Sequence, residues 1–146
     1  MDIKCFLVEA FFLDSDETIE GYIPARSEAN YSYRRTDTKE DLKVKHFHQC
    51  PPGAMIRAFW LEDMPSMTGA DGTSWQVMTP GGIWSIDSEA SNCTRKNDTT
   101  HKCWCRHGVA PNFTVNKSGN TCSAGAGSIM IGGYHGFLRN GFLITA

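Results

Sequence analysis

Between Cys93 and Cys122 the sequence gathers Cys93, Cys103, Cys105 and Cys122, with His101 and His107 among them. Zinc takes four nitrogen or sulfur donors in a tetrahedron. If Lys102 to His107 runs as a strand, Cys103, Cys105 and His107 share one face, and Trp104 and Arg106 share the other. Alternate side chains step by about 6–7 Å, so all three cannot meet one metal without a bulge. The expected donor set is therefore Cys93, Cys103 or Cys105, His107 and Cys122, with zinc as the cofactor. The spacing is not the paired Cys-x2-Cys form, so two other uses compete. The thiols could be small apolar core residues, or Cys93 and Cys103 could form a disulfide once the chain leaves a reducing compartment.

Other residues suggest other chemistry. Cys103, Cys105 or Cys122 could act as a nucleophile activated by His107 or His135, although no Gly-x-Ser-x-Gly elbow accompanies them. Cys122 to Ser128 is rich in glycine, like a phosphate-cradling loop. It lacks the Gly-Lys-Ser/Thr ending, so close backbone packing is the expected role. Asp87 and Glu89 would share a strand face, either to hold a divalent cation or to guard a sheet edge. His46, His48 and Cys50 would share another face, with solvent-facing imidazoles expected. Arg95, Lys96, Lys102, Arg106 and Lys117 cluster in sequence with Trp104, a pattern that would suit a binding surface and could stack a nucleic-acid base.

Strands are the expected means of positioning these residues. Lys4 to Leu13 carries apolar residues on both faces, which predicts a central strand. Asn30 to Arg34 alternates as a half-buried strand does. Ser74 to Met78 and Ile83 to Asp87 flank a Pro-Gly turn, and Lys102 to His107 and Asn112 to Val115 flank another. Asn140-Gly141 suits a type I′ hairpin between Gly136–Arg139 and Phe142–Thr145. The one short helix expected covers 54–62.

The chain has 146 residues, 40% hydrophobic and 21% charged, which predicts a single domain over 1–146 with a modest core. Residues 1–75 hold 13 of the 16 acids and 8 of the 14 bases, while the remainder holds 10 of the 14 glycines. The net charge of −2 argues against affinity for nucleic acid through global positive charge. No apolar run reaches the roughly 18–20 residues of a membrane helix, so no membrane partner is expected. The start, Met1 to Glu9, lacks the pattern of a secretory leader, so the cytosol is the expected compartment. The fold class that follows is mainly β: a compact antiparallel sheet or barrel-like domain with at most one short helix.

Several blocks carry a resemblance. They are Tyr33-Arg34-Arg35-Thr36-Asp37-Thr38, Pro51-Pro52-Gly53-Ala54-Met55 and Ser85 to Thr94. Lys102-Cys103-Trp104-Cys105-Arg106-His107-Gly108, Thr121 to Ile129, and Gly133 to Gly141 complete the series. In that order they resemble a family of small proteins encoded by tailed bacteriophages and prophages, some of which carry the label "ammonia monooxygenase". Nothing here resembles a membrane-embedded copper oxygenase. The resemblance implies a phage origin, a place in the host cytoplasm or the virion, and an accessory role, but no catalytic residues. The expected function is thus binding, to a protein of the host or its defences or within the phage particle. A small metal-dependent or cysteine-based enzyme and a nucleic-acid-binding module are the competing classes.

Overall fold

Short runs of β-branched and aromatic residues, cut by Gly, Pro and Asn, fold into strands throughout the computed structural model, which describes residues 2–20, 30–125 and 127–146. Twelve strands occur among the described residues. They are β1 (Asp2–Lys4), β2 (Phe6–Phe12), β3 (Thr18–Ile19), β4 (Tyr31–Arg35), β5 (Ala54–Arg57) and β6 (Trp75–Thr79). After them come β7 (Gly82–Ser85), β8 (Cys105–His107), β9 (Thr114–Asn116), β10 (Ile129–Ile131), β11 (Tyr134–Arg139) and β12 (Phe142–Thr145). One sheet runs β1-β12-β11-β10, and a second runs β3-β2-β5-β6-β7 with β4 also on β2. β8 and β9 form a separate ribbon. The pairing is antiparallel except between β2 and β5, where Phe6 lies beside Ala54 and Leu7 beside Met55. No helix among the described residues is long and apolar enough to cross a membrane.

β2 is central, as its two apolar faces predict. Phe6, Val8, Ala10 and Phe12 pack with Tyr31, Tyr33, Phe47 and Ile56 in one core. Cys5 and Leu7 pack instead with Met55, Val77, Phe113, Ile129, Leu138 and Leu143 in the other. The second core lies where the two sheets face each other. β1 runs through Cys5 into β2, which joins the sheets on one side. On the other side the β6–β7 and β10–β11 turns meet backbone to backbone. A Cβ on Gly81 would stand 1.9 Å from the Ile131 carbonyl oxygen, so only glycine permits that approach. The molecule is accordingly a compact, mainly β domain of several sheets, not a single closed one.

The terminal hairpin has the predicted turn, with φ of 49° at Asn140 and 78° at Gly141. Other expectations are corrected. The 54–62 stretch is not a helix. Ala54 and Met55 are buried in β5, where burial and strand pairing override helix propensity, and only Phe59–Leu61 forms a 3-10 turn. β4 is buried on both faces, not half-buried, because Arg34 is covered and paired with the mostly buried Glu9. Its guanidinium donates to Glu9 at 2.7 Å and to Asp16 at 2.7 Å, and stacks on Phe11 at 4.4 Å. Asp87 and Glu89 do not lie on an edge strand, since β7 ends at Ser85. His46 and His48 face solvent as expected, but on a 3-10 turn (Phe47–Gln49) that His46 precedes and His48 belongs to, with rings stacked at 5.4 Å, and Cys50 is buried in the core.

Candidate metal centre

Three segments without regular strand structure meet beside the β8–β9 ribbon. They carry Cys93, then His101 and Cys103, then Cys122. All four side chains are buried, and one donor atom from each lies within 4.8 Å of the others. The His101 Nε2 atom is 3.3 Å from Cys93 Sγ and 4.0 Å from Cys103 Sγ. Its Nδ1 lies 2.6 Å from the Asp98 carbonyl oxygen. A carbonyl can only accept, so Nδ1 carries the proton and the Nε2 lone pair faces the sulfurs. Buried Cys93, His101, Cys103 and Cys122 can therefore hold a metal ion.

Each sulfur also accepts a backbone N–H. Ala90 donates to Cys103 at 3.3 Å, Arg95 to Cys93 at 3.4 Å and Ala124 to Cys122 at 3.4 Å. Such donors favour thiolate over thiol. Burial pushes the Cys103 thiol up, and its Cys93 and Cys122 neighbours add to that rise. Burial opposes ionisation of Cys122 too, but backbone hydrogen bonds from Thr94 and Ala124, with the Cys103 and Cys93 thiols, bring it down to about 6. Three uncompensated sulfurs around one imidazole would compete for the same protons. A cation at their centre would neutralise them.

Long cationic side chains fasten the lobe. Lys117 Nζ bonds to the Cys103 and Ala124 carbonyls, the latter at 2.9 Å. Arg95 bonds to the Asn120 side chain at 2.8 Å and the Thr121 carbonyl at 2.9 Å, and pairs with Asp98. Arg106 is nearly buried and forks between Asp71 and Asp87, at 2.9 Å to each. Lys102 caps the Pro65 and Thr68 carbonyls. A cleft of about 480 Å³ lies between this lobe and the 65–71 loop, lined in part by His101, Cys103, Trp104 and Cys105.

The structure brings together Cys93, Cys103 and Cys122 but not His107. His107 is exposed on β8, with Nε2 2.9 Å from the Asn116 side-chain oxygen. The reason is where the strand begins. β8 starts only at Cys105, so Cys103 lies before the pleat and is free of its alternation. His101, two residues before Cys103, supplies the imidazole, and the His-x-Cys spacing was the available signal for it. Cys105 stands apart, half-buried, its Sγ against Gly119, where a Cβ would be 2.4 Å away. Of the residues expected to form a basic binding surface, Arg95, Lys102, Arg106 and Lys117 are committed to internal partners. Trp104 is half-buried, donating from its indole nitrogen to the Ile86 carbonyl and lying 5.6 Å from Trp84. Lys96 is exposed. Asp87 is buried and accepts from Arg106 and from the Trp75 N–H, while Glu89 is exposed, so the two do not form a cation site. In the glycine-rich stretch, Gly127 meets the Asn116 backbone closely (a Cβ would stand 3.2 Å from it), and Ala126 lies outside the described residues.

The chain matches no protein-family model, no curated protein and no solved structure.

Proposed function

We propose that this chain is a phage accessory protein that acts by binding another protein, in the infected host's cytoplasm or in the virion, and that zinc staples its second half. The observation that carries the non-catalytic part is the closed donor set. Three cysteines and one histidine, all buried and each held by a backbone partner, number the four donors of a structural zinc, and a tetrahedral ion bound by all four would have no position left for water or substrate. Donors bound 2.0–2.3 Å from a tetrahedral zinc stand roughly 3.5–3.8 Å apart, and the His101–sulfur separations of 3.3 and 4.0 Å bracket that range. Soft thiolates with one imidazole favour zinc over the hard cations. The ion would supply no chemistry here beyond folding free energy, because the irregular lobe has only a small apolar cluster of its own. The phage origin and accessory role rest on the sequence blocks that resemble the phage family.

A second reading, a small metal-dependent enzyme, draws on the cleft that His101 and Cys103 line. Zinc-edge X-ray absorption on untagged protein separates the two. A shell of three sulfurs and one nitrogen is expected. A shell with fewer protein donors and an oxygen would overturn the staple and favour the enzyme.

A further inference from the structure

Of the four donors, Cys103 and His101 line the open cleft, whereas Cys93 and Cys122 do not. Cys103 also has its sulfur within 4.8 Å of those of Cys93 and Cys122. Several of the bonds that hold the lobe lie near it. Lys117 bonds to its carbonyl, Ala90 donates to its sulfur, and its neighbour Lys102 ties the lobe to the 65–71 loop across the cleft. The remaining cysteines differ. Cys5 and Cys50 are buried among apolar side chains in the two cores, away from the cleft.

We infer that Cys103 is an oxidation site at which hydroperoxides convert the zinc staple to a disulfide and release the metal. This rests on the zinc reading above. The Cys103 thiolate attacks a peroxide oxygen, the O–O bond breaks, and sulfenic acid and hydroxide form. Cys93 or Cys122, whose sulfurs lie within 4.8 Å, attacks the sulfenic sulfur, forming the S–S bond and expelling a second hydroxide. Two thiolates and one hydrogen peroxide thus give one disulfide and two hydroxides, which take two protons from solvent. The zinc, left with one thiolate and one imidazole, departs. The lobe then loses the joint that holds Cys93, Cys103 and Cys122 together, and the cleft loses a wall.

The test uses zinc-loaded wild-type protein, with metal content measured first. Hydrogen peroxide is added in the presence of a chromophoric zinc chelator, and disulfides are mapped by peptide mass spectrometry. Release of about one zinc per chain is expected. Cys103 should be linked to Cys93 or Cys122, Cys5 and Cys50 should stay reduced, and reductant plus zinc should restore the metal. Cys105→Ser, which leaves the donor set intact, should release zinc at the wild-type rate. Zinc retained through peroxide, a Cys93–Cys122 disulfide with Cys103 reduced, or release abolished by Cys105→Ser would each overturn the inference while leaving the staple standing. Protein that binds no zinc before oxidant is added would overturn both.

Discussion

At the scale of single residues, the division of labour among the histidines follows from hydrogen bonds. His101 is buried, with Nδ1 spent on the Asp98 carbonyl, so its free nitrogen can only face the sulfurs. His107 spends Nε2 on Asn116 at the surface. His101→Ala should therefore lower zinc affinity at least tenfold in a chelator competition, as losing a ligand must exceed losing a supporting contact. His107→Ala should leave metal content unchanged. The reverse pattern would move the metal onto β8. His101 was legible as a donor type, yet strand alternation favoured His107, and only the late start of β8 removes that argument.

At the scale of elements, the glycines mark where strands and turns must touch. Gly81 faces backbone, not a flexible side chain: the Ile131 carbonyl is fixed by its own turn and cannot yield. Gly81→Ala should push the β6–β7 and β10–β11 turns apart and cost about 3 kcal/mol, read as a lower urea midpoint with an unchanged slope. Gly133→Ala, where a Cβ would meet nothing within 4 Å, loses no packing space and bears only the strain of its positive φ, so its cost should be smaller. Similar costs for both would remove the junction as the cause. Hairpins were readable from local turn chemistry, because Asn-Gly and Pro-Gly act on neighbours two residues away. The 54–62 stretch was misread because its helical start signal is local, whereas the forces that made it a strand come from Phe6, Leu7, Gln76 and Val77, which are distant in sequence.

For the molecule as a whole, partly buried ion pairs tie stability to pH. Burial would raise the Glu9 pKa, but hydrogen bonds from Arg34, Lys39 and Thr18 outweigh it and hold the carboxyl below its ordinary value of 4.5. Arg57 lowers Glu62 in the same way. Asp71 also falls well below its usual range, where Arg106 and Thr73 outweigh burial. A carboxylate with a depressed folded pKa stabilises above its unfolded value and loses that contribution as pH falls through the folded one. Asp87 acts in the opposite sense, because burial raises its pKa despite Arg106; its contribution is present at low pH and lost as pH rises. Asp37, Asp41 and Asp98 are lowered too, and with six depressed carboxylates against one raised, urea stability should be level near neutrality and fall below about pH 4.5. Glu9→Gln should lower the neutral plateau and flatten the acid limb. An unchanged acid limb would show that the Arg34 pair carries none of it.

The sequence by itself determined the strand-rich class, the central place of β2, the terminal hairpin and the sulfur-rich character of the second half. Those properties depend on residue type and on periods of two to four residues, which act locally. Tertiary structure alone decided which donors converge. Cys93, His101, Cys103 and Cys122 arrive from three segments whose approach is set by strand ends, by Lys117 and Arg95 bridging carbonyls, and by burial of the sulfurs. It also decided that Arg106 and Lys102, which read as a cationic surface, are internal ties. A charge next to other charges in sequence says nothing of the carbonyls and carboxylates that folding brings within 3 Å of it.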